Sequence, residues 1–96
     1  MVLEEFRSSL TGDLPPAGVS PLVAALWWAA RGDWDKAHTI AQDVESPDGA
    51  RVHAYLHRRE GDQANAGYWY RRAGMTPSRS PLDVEWEEIV RALLKA

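Results

Sequence analysis

His53 and His57 stand four residues apart in the stretch HAYLHRREGD, residues 53 to 62. On a helix this spacing puts two imidazoles on one face, where they could share a metal ion or move a proton near neutral pH. A metalloprotease helix needs a glutamate directly after the first histidine, and Ala54 occupies that position. A third ligand would have to be His38, upstream, or Glu60, three residues after His57. One His-x-x-Glu spacing does not build a two-metal centre, which needs several carboxylates from facing helices. The expectation from spacing alone is therefore no metal site and no bound cofactor.

Acid–base catalysis would require a nucleophile within hydrogen-bond reach of an imidazole. The candidates are Thr39, Ser46 and Tyr68, and none sits in a nucleophile-elbow or related context. The glycines are scattered singly, so no phosphate-cradling loop is present, and the absence of cysteine removes thiolate chemistry and disulfides. No catalytic residue is assigned, and the reading leans against an enzyme while leaving the question open.

The groups that would position these side chains belong to a chain of 96 residues, enough for one domain spanning 1–96. Hydrophobic residues make up 45% and charged residues 26%, a globular balance. Net charge is −3, but residues 51–79 carry six arginines against Glu60 and Asp62, while the remainder holds five basic and twelve acidic groups. Overall acidity argues against nucleic acid as a partner. The basic middle suits an acidic peptide, or else neutralises the acidic last segment of the chain itself. The longest apolar run, LVAALWWAA, is nine residues, against roughly 20 for a membrane span. With acidic rather than basic residues at the N-terminus, the expected compartment is the cytoplasm, away from membranes.

Residues 1–20 read as a short N-terminal segment and a Pro/Gly loop, TGDLPPAGVSP, which cannot sustain a helix. Three Ser-Pro pairs (Ser20-Pro21, Ser46-Pro47, Ser80-Pro81) then mark helix starts, because serine caps and proline fits the first helical position. Gly32-Asp33 and Gly61-Asp62 mark breaks, glycine ending one helix and aspartate capping the next. The result is all-α: a hairpin over 21–45, a second over 47–74, and an amphipathic C-terminal helix over 81–95. In that helix Leu82, Trp86, Ile89, Val90, Leu93 and Leu94 share one stripe, with Glu85 among the residues assigned to the outer face. Adjacent Trp27 and Trp28 point about 100° apart on a helix. That segment must be covered on two sides, by the domain itself or by a second copy in a homodimer.

GDWDKA (32–37) set over GDQANA (61–66) shows a repeat at an offset of 29 residues, pairing Ala25 with Ala54, Ala37 with Ala66, and Ala41 with Tyr70. With Trp28 upstream and Pro47 closing the unit, the pattern resembles a tetratricopeptide repeat. ANAGYWYRRAG resembles its Sel-like variant, and the combined pattern is similar to a family of small uncharacterised proteins. The resemblance covers residues 21–77. It departs from the family in its short period, in having two units rather than three, and in placing His57 where Trp28 predicts an aromatic. It implies about two tetratricopeptide-like hairpins capped by the C-terminal helix.

It also implies a concave groove, lined by 21–31 and 47–60, that receives an extended peptide. His53, His57 and Arg58, with Trp27 and His38, are then the expected ligand-binding residues, recognising an acidic segment of a partner protein. The rival reading is a small-molecule or catalytic pocket in which His38, His53 and His57 converge beside Trp28 and Tyr68. Convergence decides between them, since a groove exposes its residues in a row while a pocket brings several elements to one point.

Overall fold

The computed structural model describes residues 1–95 and contains, among them, α1 (Leu3–Ser8), α2 (Pro21–Ala30), α3 (Trp34–Gln42), α4 (Pro47–Arg59), α5 (Gln63–Arg72) and α6 (Leu82–Lys95), with no strand. A 3-10 turn, Ser9–Thr11, extends α1. The chain is all-α, and no helix among the described residues is long and apolar enough to cross a membrane.

Local chemistry accounts for most of the boundaries. Ser20 Oγ accepts the Val23 N–H and Ser46 Oγ accepts the Gly49 N–H, with Pro21 and Pro47 at the first helical position. The third Ser-Pro pair differs from expectation: α6 starts at Leu82, after the proline, and the Ser80 carbonyl accepts from the Arg58 guanidinium. Gly32 and Gly61 end α2 and α4 at φ of 85° and 89°. Each places the following aspartate N–H on the carbonyl five residues back, Trp28 and His57 respectively, at 2.9 Å. Asp33 and Asp62 then cap α3 and α5 through the Lys36 and Asn65 N–H groups. Two identical turns therefore reverse the chain twice, and the second pins the backbone of His57.

Packing follows the small residues. Ala25, Ala29, Ala37 and Ala41 are buried where α2 meets α3, and Ala54 and Ala66 are buried with Tyr70 between α4 and α5. The first hairpin stacks on the second through α3 and α4. Then α6 turns back over α2 and α4, with α1 against it. This double cover buries Leu22, Val23, Ala25, Leu26, Trp27 and Ala29 of α2 within one chain. Two indoles tie it down: Trp86 Nε1–H donates to the Leu26 carbonyl at 2.8 Å, and Trp27 Nε1–H donates to Ser9 Oγ at 3.1 Å.

Glu85 departs from its expected outer face, being only 3% exposed. Its carboxylate pairs with Arg58 at 2.9 Å and accepts the Tyr70 hydroxyl, joining α4, α5 and α6. A buried carboxylate is tolerated where a charge partner and a hydrogen-bond donor meet it together.

One close approach is testable. A β-carbon at Gly49 would stand 2.0 Å from the Val44 carbonyl oxygen, while one at Gly67 meets nothing nearer than Arg71 Nη1 at 3.5 Å. Gly49→Ala should lose about 1–3 kcal/mol by overpacking. Gly67→Ala, mid-helix and uncrowded, should gain about 0.5–1 kcal/mol. Urea unfolding of the two variants checks both signs.

Candidate functional site: three histidines between two indoles

Two helical spacings build the site. On α3, Trp34 and His38 are four apart and stack, ring centroids 4.7 Å apart and planes 11° from parallel. On α4, His53 and His57 are also four apart and stack at 4.9 Å. Because α3 packs on α4, the two pairs meet: His38 lies edge-on to His53 at 4.6 Å and to His57 at 5.3 Å. Trp69 of α5 closes the far side, lying flat on His53 at 3.8 Å. Trp34 is fixed in turn by its Nε1–H, which donates to the Leu56 carbonyl at 2.6 Å.

Direct contacts set the tautomers. His38 Nε2 and His53 Nε2 are 2.9 Å apart, so one nitrogen carries the proton and the other accepts it. His57 Nδ1 lies 2.7 Å from Glu60 Oε2. A carboxylate can only accept, so His57 donates from Nδ1, and Nε2 stands outside that contact. One ring nitrogen from each histidine lies within 4.8 Å of the others.

Charge is disfavoured here. His53 and His57 are only 6% and 7% exposed. Burial, reinforced by His38 and His57, drives the His53 pKa down to about 4. Burial and then His57 lower that of His38, against smaller opposing effects of Glu60 and Asp35. At neutral pH His38 and His53 are therefore uncharged electron-pair donors held between flat apolar walls. A depression of about 350 Å³ opens beside His53, bounded by Gln42, Ser46, Ala50, Trp69 and Arg72.

Of the five expected ligand-binding residues, His38, His53 and His57 come together, and Arg58 and Trp27 do not. Trp27 is fully buried in the core. Arg58, one residue and about 100° round the helix from His57, points into the junction with Glu85 and Ser80. The face of α2 and α4 expected to form a peptide groove is covered by α6, so the acidic segment that meets Arg58 belongs to the chain itself.

The expected pocket walls are also corrected. Trp28 packs edge-on against Trp27 and under Lys36, and Tyr68 is exposed and accepts from Arg72. The walls are instead Trp34 and Trp69, stacked on His38 and His53. The i,i+4 spacing of Trp34 and His38 was the available signal for one of them.

Comparison of the chain with protein-family models, with curated proteins and with solved structures finds no match.

The His53 shift has a consequence for stability. In the unfolded chain a histidine takes up its proton near pH 6.5, whereas folded His53 resists protonation down to about 4. The stability it contributes is complete above pH 6.5 and is lost as pH falls toward 4, by on the order of 2–3 kcal/mol. The titratable groups facing it are His38 of α3 and His57 of α4, and beyond Trp69 stands the fixed charge of Arg72 of α5. Urea midpoints at pH 7.5 and pH 5 should show the loss, and His53→Phe should largely remove the dependence.

Proposed function

We propose that this domain binds a small ligand at His38, His53 and His57, and does so by preorganised recognition. The observation that carries this reading is the meeting of three imidazoles from two helices, with nitrogens within 4.8 Å of one another. The neutral His38 and His53 rings offer lone pairs, and the indole faces of Trp34 and Trp69 are taken up in stacking on those two rings. The ligand class is therefore an electron-pair acceptor or a small hydrogen-bond donor, an ion or a compact molecule. Little ordering is needed on binding, because stacking and the Glu60 and Leu56 hydrogen bonds already hold the rings.

The extended-peptide reading drawn from the tetratricopeptide-like pattern is less favoured, since Arg58 is committed to Glu85 and Trp27 to the core. A catalytic reading has less support still: among the described residues no nucleophile hydrogen-bonds to any of the three rings.

Histidine and indole resonances provide the test. Methylammonium, guanidinium and divalent cations should be added separately, with an Asp/Glu decapeptide as the competing probe. At least one small probe should shift His38, His53, His57 and the Trp34 and Trp69 indole signals together. Shifts produced by the decapeptide alone would overturn the reading.

A further inference from the structure

We infer that the three histidines form the coordination site of a first-row transition-metal ion, zinc(II) as the reference case, with Glu60 as the positioning group for His57. This rests on reading the cluster as a small-ligand pocket and names its ligand.

The donor set is the first support. It consists of three imidazole nitrogens, which suit zinc, copper, nickel and ferrous iron, whereas calcium and magnesium require oxygen ligands. Distances are the second. Around a tetrahedral ion with metal–nitrogen bonds of about 2.0–2.1 Å, neighbouring ligand nitrogens stand about 3.3–3.4 Å apart. The His38–His53 nitrogens, at 2.9 Å, need to open slightly, and one nitrogen of each of the three rings already lies within 4.8 Å of the others.

The surroundings are the third support. A metal-bound histidine commonly donates its second ring N–H to a carboxylate, which fixes its orientation and raises its basicity. Glu60 accepts from His57 Nδ1 at 2.7 Å in that way, leaving Nε2 for the ion. Trp34 and Trp69 keep His38 and His53 stacked, which holds the two rings in place. A second candidate set, His57 with Glu60 and Asp62, is weaker, because both Asp62 oxygens are taken by Asn65 as the cap of α5.

Binding would replace the proton shared between His38 and His53 nitrogens, and the ring that carried it would hold it on Nδ1 instead. Three protein ligands leave a fourth coordination position for water or a further small ligand.

The test uses the full chain with zinc chloride, followed by calorimetry and histidine NMR, and with cobalt(II) chloride as a spectroscopic stand-in. The expected result is one ion per chain, joint shifts of all three imidazoles, and a cobalt visible spectrum typical of four-coordination. His38→Ala should abolish this. Glu60→Gln, at an exposed position that leaves folding intact, should weaken zinc binding about 10- to 100-fold. Zinc affinity unchanged in either variant overturns the assignment. So does a wild-type chain whose imidazoles do not respond to zinc. If methylammonium or guanidinium still shifts them, the metal assignment alone falls. If no small probe does, the pocket reading falls with it.

Discussion

The need to cover α2 on more than one side organises the whole domain. Its sequence is almost continuously apolar, and Trp27 and Leu26 cannot be hidden by a single neighbour. One side is met by α3 and α4 of the stacked hairpins, and another by α6, which crosses back with α1 behind it. In a domain this small the buried fraction of the surface is limited, so a helix left half-covered would cost a large part of the net stability. The return of α6 is the solution within one chain.

That solution decides where a ligand can and cannot go. By crossing α2 and α4, α6 occupies the face on which an open helical repeat would receive a peptide. The junction is sealed by charge as well as apolar area, because Arg58, Glu85 and Tyr70 form a buried network among three helices. Removing one member would strand the others without solvent, so the network behaves as a lock on α6. The histidines lie around the same α4 helix on the side turned to α3 and α5. The histidine cluster and the apolar core thereby occupy different faces of one helix.

The histidine side carries its own tension. Three imidazoles in close contact repel one another if protonated, and burial adds to that cost. A fold built only for packing would fill the space with aliphatic side chains at no such penalty. Here the rings are instead held by stacking on two indoles and by Glu60, an arrangement that keeps electron pairs available in a shielded place. Buried polar groups retained at a stability cost are a recognised sign of a binding site.

Sequence by itself determined the helices and their turns, because capping, proline placement and glycine at positive φ act over a few residues. Ser20, Ser46, Asp33 and Asp62 cap as their types dictate, and the offset of 29 residues shows as two matching turns. The i,i+4 pair His53 and His57 was equally legible, being a property of one helix. What lay beyond the sequence was every contact between helices. Whether His38 meets His53, whether Trp69 rather than Tyr68 lies on that ring, and whether Glu85 faces water or Arg58 depend on helix rotation and on the path of α6. Those are settled by the summed burial of many apolar groups across the domain, and no local pattern encodes that sum.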